Sequence, residues 1–108
     1  MTSLVFPGQG SQFVGMTQDF YDEFSVVRET FDMIETSTKI KIKDIIFENK
    51  SGLLNITQYT QLAIFCSSIS IFNVFKKEIS NKKISINYAL GHSLGEYSAL
   101  VASNVISI

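Results

Sequence analysis

Apolar side chains recur along this chain in two rhythms, one of strands and one of helices. Residues 3–6 form a short apolar run stopped by Pro7 and Gly8, which reads as a strand. It feeds a loop, Gly8-Gln9-Gly10-Ser11-Gln12, too rich in glycine to be regular. Over residues 21–36, Phe24, Val27, Phe31 and Ile34 return every three or four positions, with Glu23, Arg28, Glu29 and Glu35 between them, so one amphipathic helix with a single buried stripe is expected. Residues 39–43 alternate lysine and isoleucine like a strand, whereas residues 44–48 suit a short helix, and pattern alone leaves that boundary open. A surface loop is expected over 49–55, after which Thr57 can cap a long helix running to about residue 77, with Lys76 and Lys77 at its negative end. A polar turn at 80–83 leads to Ile84, Ile86, Tyr88 and Leu90 alternating with Ser85, Asn87 and Ala89, a second, buried strand that ends at Gly91. A helical pattern resumes over 94–102 through Leu94, Tyr97, Leu100 and Val101.

Strands separated by helices, with no hairpin signal between them, predict a parallel sheet covered by helices, an α/β fold. No repeat, low-complexity tract or linker divides the 108 residues, so a single domain is expected. The apolar tail Asn104-Val105-Ile106-Ser107-Ile108 has no closing element after it, and the chain therefore reads as an incomplete domain, cut off, with an exposed apolar edge that favours association or poor solubility.

Composition excludes more than it identifies. With 45% hydrophobic and 18% charged residues the chain is not of disordered type. A net charge of −1, with the lysines at 39, 41, 43, 76, 77, 82 and 83 interleaved with acids and apolar residues, gives no footprint for a polyanion, so no nucleic-acid partner is expected. Residues 62–75 are the most apolar stretch, but Ser67, Ser68, Ser70 and Asn73 interrupt it and it falls short of the roughly 20 apolar residues of a spanning helix. It reads as a core helix, with no membrane association. No export signal opens the chain, which makes the cytoplasm the expected location. The one cysteine, Cys66, lies in the same stretch and reads as a small buried hydrophobe rather than a reactive thiol.

The chemistry concentrates at Gly91-His92-Ser93-Leu94-Gly95, a G-x-S-x-G with an apolar strand before it and a helix after it. That setting calls for a sharp turn that lifts the Ser93 hydroxyl off the sheet edge, and glycines on either side remove Cβ atoms that would collide where strand and helix pass closely. The backbone N–H of Leu94, in the first turn of the helix, has no intrahelical partner and can serve one half of an oxyanion hole. The bland reading is a chance occurrence of the pattern in a strand-turn-helix. His92 adjoins Ser93 and projects in a different direction, which suits a structural hydrogen bond near the pocket better than removal of the serine proton. As His92 is the only histidine, no Ser-His-acid triad assembles from these residues, and Asp44, Glu48, Glu78 and Glu96 have no second histidine to orient.

Two separated motifs, Pro7-Gly8-Gln9-Gly10-Ser11-Gln12 and Gly91-His92-Ser93-Leu94-Gly95-Glu96-Tyr97-Ser98-Ala99-Leu100, together resemble the N-terminal signatures of the malonyl-CoA:acyl-carrier-protein transacylases. Between them Thr60-Gln61 ahead of an apolar helix resembles that family's Thr-Gln-Pro-Ala segment, with Leu62 where proline is usual. The resemblance implies the N-terminal portion of an α/β-hydrolase-like acyltransferase core, residues 1–108, without the family's inserted ferredoxin-like subdomain and C-terminal core. It implies Ser93 as the catalytic nucleophile, which takes malonyl from malonyl-CoA as an ester and passes it to the phosphopantetheine thiol of acyl carrier protein, with no bound cofactor and no metal. It further implies backbone N–H groups of Gln9 and Leu94 as the oxyanion hole, and Gln9, Gln61 and His92 as substrate-binding residues. The bland readings are that Gln9 is a solvated loop residue and Gln61 a helix-start residue, and for Gln61 the two readings stand level.

The family's histidine base and carboxylate-pairing arginine find no match within these residues. Arg28, the sole arginine, sits in an early helix. Three readings follow: a transferase that is impaired or inactive as this chain alone, a serine hydrolase or thioesterase sharing the same turn, and a silent remnant or assembly module whose remaining core comes from a second polypeptide.

Overall fold

The two runs read as strands do pair, and they pair in parallel: β1, Thr2–Phe6, lies beside β2, Ile86–Gly91, with Leu4 opposite Ala89, Val5 opposite Leu90 and Phe6 opposite Gly91. The computed structural model describes residues 2–78, 86–91 and 95–102. The expected strand start at Ile84, the helix start at Leu94 and the tail at 104–108 lie outside them. Between the strands run α1 (Gln18–Glu23), α2 (Ser25–Thr38), α3 (Ile42–Phe47), a single 3₁₀ turn (Leu53–Asn55) and α4 (Thr57–Glu78); α5 (Gly95–Ala102) follows β2. The order strand, helices, strand, helix is the expected α/β arrangement, because a parallel neighbour is reached only through a long crossover.

The helix expected over 21–36 is two helices. Phe24 is extended (φ −120°, ψ 122°) and separates α1 from α2. The cause is Arg28: its Nη1 donates to the carbonyl oxygens of Tyr21 at 2.6 Å and Asp22 at 3.1 Å, supplying α1's end carbonyls with the donors that a continuous helix would have given them. Val27, Phe31 and Ile34 form the buried stripe as the spacing requires, joined by Thr30. Tyr21, Phe31 and Phe47 pack as an aromatic trio with ring centres 5.2, 5.2 and 5.6 Å apart, tying α1, α2 and α3 together.

The alternation at 39–43 resolves as connection and helix rather than strand. Lys39 takes a left-handed conformation (φ 61°) that ends α2, and Ile42, Ile45 and Ile46 bury one face of α3. The N–H of Lys43, in α3's first turn, donates at 3.1 Å to the Glu35 carboxylate, so a neighbouring helix satisfies a group the helix start leaves open. The loop at 49–55 is not wholly superficial: the Leu54 N–H donates to Asn49 Oδ1 at 3.0 Å, and Leu54 is buried.

Helix α4 begins one residue earlier than a Thr57 cap would set it, with Thr57 inside the helix and extended Ile56 before it. Its buried residues, among them Thr60, Ala63, Ile64, Cys66, Ile69 and Val74, occupy more than one stripe, as in a helix enclosed on several sides. Thr60 Oγ1 donates to the Leu54 carbonyl and, at 3.1 Å, to that of Ile56, fixing the helix start. Asn73 Nδ2 donates to Thr30 Oγ1 at 3.0 Å across to α2, and Phe72 meets Phe6 of β1 edge-on at 6.2 Å. Among the described residues no helix is long and apolar enough to cross a membrane.

Cys66 is fully buried, and loss of solvation pushes its thiol from an ordinary value of 9.0 up to about 12; the Ser70 hydroxyl opposes the shift and the Glu35 charge adds to it. The thiol is thus protonated and inert, as the sequence suggested. Two outcomes follow. Phe31→Ala should lower the free energy of unfolding by about 3–5 kcal/mol, read from urea melts, because it empties the centre of the aromatic trio. Between pH 9 and 12 the unfolded chain loses the Cys66 proton while the folded chain keeps it. This group alone then makes stability fall with rising pH, by up to about 1.4 kcal/mol per pH unit, and Cys66→Ala should flatten that slope.

Candidate active site

Because Phe6 pairs with Gly91, both strands finish at the same level and both following loops leave from the same carboxyl edge of the sheet. In open α/β sheets this edge is where ligands bind. His92, Ser93 and Leu94 lie outside the described residues, as does the Glu96 side chain; the chain is described again at Gly95, the first residue of α5.

Gly95 is held against β1. A methyl group on it would lie 2.1 Å from the Phe6 carbonyl oxygen, 2.8 Å from the Phe6 carbonyl carbon and 3.0 Å from the Pro7 oxygen. The obstruction is main chain, which cannot swing aside as a flexible side chain could. The second glycine of G-x-S-x-G is therefore a steric requirement of this fold, and the start of α5 abuts the beginning of the loop that carries Gln9.

That loop is organised by its own hydrogen bonds. Ser11 donates to the Gly8 carbonyl twice, through its N–H at 3.3 Å and its hydroxyl at 2.8 Å, and the Gly10 N–H donates to Gln12 Oε1 at 2.8 Å. Gly10 adopts φ 108°, a conformation open to glycine, yet no described atom lies within 4 Å of where its Cβ would stand. Backbone conformation rather than lack of room is what requires glycine there. Farther on, the Gly15 N–H donates to the Ile46 carbonyl at 2.8 Å and anchors the segment to α3. Between these ties the Gln9 N–H makes no hydrogen bond among the described residues.

The Gln9 side chain donates from Nε2 to Thr57 Oγ1 at 3.4 Å. Thr57 and Gln61 stand one helical turn apart on α4, on one face, and both are exposed. Gln9 is thus tied to the residue one turn before Gln61, Thr57, which the sequence suggested only as a helix cap. Its spacing of four from Gln61 was visible; its partner 48 positions away was not. Arg28 is engaged with the carbonyls of α1, away from this edge.

Gly95→Ala should lower stability by about 1–3 kcal/mol or more, since backbone must move to admit the methyl group. Gly10→Ala has open space and faces only the cost of its dihedral, about 1–2 kcal/mol. Parallel thermal melts of the two variants measure the difference, and equal stability of Gly95→Ala and the unsubstituted chain would contradict the close approach.

Residues 3–108 match the family model described as the acyl transferase domain. The malonyl CoA-acyl carrier protein transacylase of Bacillus subtilis strain 168 is 37% identical over 105 residues, which cover 97% of this chain and 32% of that relative. The crystal structure of malonyl CoA-acyl carrier protein transacylase from Clostridium perfringens superposes with a TM-score of 0.87 at 34% identity, over 97% of this chain and 32% of its own. A malonyl-transacylase solved in complex with a type II polyketide synthase acyl-carrier protein superposes with a TM-score of 0.85 at 36% identity, over 94% of this chain and 32% of its own. The chain spans about a third of the length of the curated relatives it matches. With a match that begins in the first strand and takes in both the Gln9 loop and the Ser93 motif, this chain belongs to the acyl transferase domain family.

Proposed function

We propose that this chain supplies the nucleophile and the oxyanion loop for transfer of a malonyl group from coenzyme A to acyl carrier protein, in fatty acid or polyketide synthesis in the cytoplasm. The observation that carries the reading is the packing of Gly95 on the Phe6–Pro7 main chain, which holds the start of α5 and the root of the Gln9 loop together at one sheet edge. In this reading the Ser93 oxygen attacks the malonyl thioester carbonyl. The resulting oxyanion accepts hydrogen bonds from the backbone N–H groups of Gln9 and Leu94, and coenzyme A leaves as its thiol. The malonyl ester on Ser93 is then attacked by the phosphopantetheine thiol of acyl carrier protein, the serine hydroxyl being the second leaving group. Support for the Gln9 assignment comes from its N–H, which has no acceptor among the described residues while its neighbours Gly10 and Ser11 are bonded. Gln61 and His92 are assigned to the acyl pocket, Gln61 by its place one turn from Thr57. No cofactor is required by these steps.

The proton on Ser93 needs a base and the malonyl carboxylate needs a cation. The one arginine is committed to α1 and the one histidine adjoins the nucleophile, so both groups are assigned to parts of the acyl transferase core outside residues 1–108. General-base help is worth about 10²- to 10⁴-fold, so slow acylation and slower turnover are expected of the chain alone.

Intact-mass measurement after incubation with malonyl-CoA should reveal a malonyl adduct that maps to Ser93 and is absent from Ser93→Ala. Release of free malonate with no persistent adduct would instead indicate a hydrolase. A chain that remains unmodified even when the missing base and arginine are supplied would rule the reading out.

A further inference from the structure

Residues 8–11 close a tight turn on the Gly8 carbonyl, which Ser11 holds twice: its N–H donates at 3.3 Å and its hydroxyl at 2.8 Å. The first distance lies just beyond the usual range of about 2.7–3.2 Å for an N–H donor, whereas the second is at the favoured value for a hydroxyl. The side chain therefore supplies the firmer hold. Gly10, third in the turn, has φ 108°, and a positive φ at that place is what a type II turn requires. The Gly8 carbonyl and the Gln9 N–H belong to one peptide unit. Such a unit is planar and trans here, so its C=O and N–H point in opposite directions, and whatever fixes the carbonyl fixes the N–H. With the carbonyl drawn into the turn by Ser11, the Gln9 N–H faces out of it, and it has no acceptor among the described residues.

We infer that the Ser11 hydroxyl is a positioning group for acyl transfer: by holding the Gly8 carbonyl it keeps the Gln9 N–H turned outward as an oxyanion donor. The inference rests on the assignment of that N–H in the proposed function, and it adds a residue that acts through the Gly8–Gln9 peptide rather than on the substrate. Three observations favour it over a Ser11 that merely closes a surface turn. The Ser11 N–H already closes the turn, so the hydroxyl's bond to the same carbonyl is additional to what the turn needs. Ser11 is exposed, where water serves a hydroxyl equally well, yet its oxygen bonds inward. Gly8, moreover, lacks the Cβ that limits rotation of the peptide following it, so this peptide turns over readily unless something holds it. A turned peptide would aim the Gly8 oxygen, an acceptor, where the reaction needs a donor, replacing stabilisation of the oxyanion by repulsion. The other anchor on Gln9 does not do this work. Thr57 holds only the end of the Gln9 side chain, at 3.4 Å, and rotatable bonds separate that amide from the main chain.

The test compares Ser11→Ala, which loses the hydroxyl, with Ser11→Thr, which keeps one. Backbone ¹⁵N relaxation and relaxation dispersion read the motion of the Gln9 amide, and intact mass follows acylation of Ser93 by malonyl-CoA. The Gln9 order parameter should be about 0.85 in the unsubstituted chain and in Ser11→Thr, and should fall to about 0.6 or gain millisecond exchange in Ser11→Ala. The maximal acylation rate should fall at least tenfold in Ser11→Ala, less than the roughly 10²- to 10³-fold cost of removing an oxyanion donor outright. The malonyl-CoA concentration giving half that rate should stay within about twofold, because the oxyanion exists only beyond the bound ground state. Ser11→Thr should recover the rate. A Gln9 amide as rigid in Ser11→Ala as in the unsubstituted chain overturns the inference. So does a raised half-saturating concentration at constant maximal rate, which would make Ser11 a binding residue, or a Ser11→Thr variant as slow as Ser11→Ala. Absence of any adduct from the unsubstituted chain counts against the proposed function and with it the catalytic half of this inference. The relaxation measurements need no substrate, and they decide separately whether Ser11 holds the Gln9 peptide.

Discussion

One main-chain contact constrains most of this molecule: Gly95 against the carbonyls of Phe6 and Pro7. Strand β1 must end where α5 begins, β2 must run parallel and level with it, and the chain between them must travel out through four helices and back. The register delivers this, since Phe6 pairs with Gly91 and α5 starts at Gly95. The helical layer then serves to hold β1 in place. Phe6 is buried and meets Phe72 of α4, and α4 is fixed to α2 through Asn73 and Thr30. A change deep in the helices can therefore reach the sheet edge through Phe72 and Phe6, beside the hydrogen bonds of Gln9 to Thr57 and of Gly15 to Ile46.

The helices are themselves terminated by one another. None of α1, α2 and α3 has a side-chain cap from its own N-cap residue. Glu35 of α2 serves the start of α3, Arg28 of α2 serves the end of α1, and the Ile46 carbonyl of α3 receives the Gly15 N–H. Orphaned groups at helix ends have to be satisfied somewhere. Here the donors and acceptors come from the next element, which makes the short helices dependent on the assembled layer and unable to persist singly.

That dependence marks the boundary of what the sequence made legible. The stripe of Val27, Phe31 and Ile34 was readable because burial follows helical spacing wherever the helix happens to start. The break at Phe24 was not, because Phe24 keeps the same spacing on either side of it and the cause is a guanidinium seven positions from Tyr21. Lysine and isoleucine alternation at 39–43 mimicked a strand because Ile40 and Ile42 pack inward from a connection and a helix start that happen to be two residues apart. At the candidate site the glycines were legible but their reasons differed. Gly95 lacks room, as the motif implied, whereas Gly10 has room and needs its dihedral. The Gln9 to Thr57 bond joins residues with no shared local pattern, and only the tertiary fold brings them together.

The proposed oxyanion donor, the Gln9 N–H, stands on a loop that leaves the carboxyl end of β1. Oxyanion stabilisation depends on donors already fixed in place, because any reorganisation during the reaction subtracts from what they contribute. For the proposed donor that fixity comes from the hydrogen bonds of Ser11 to Gly8 and of Gly10 to Gln12, from the Gly15 N–H on the Ile46 carbonyl, and from Gly95 packed on the Phe6–Pro7 main chain, so the loop is held on both sides of Gln9.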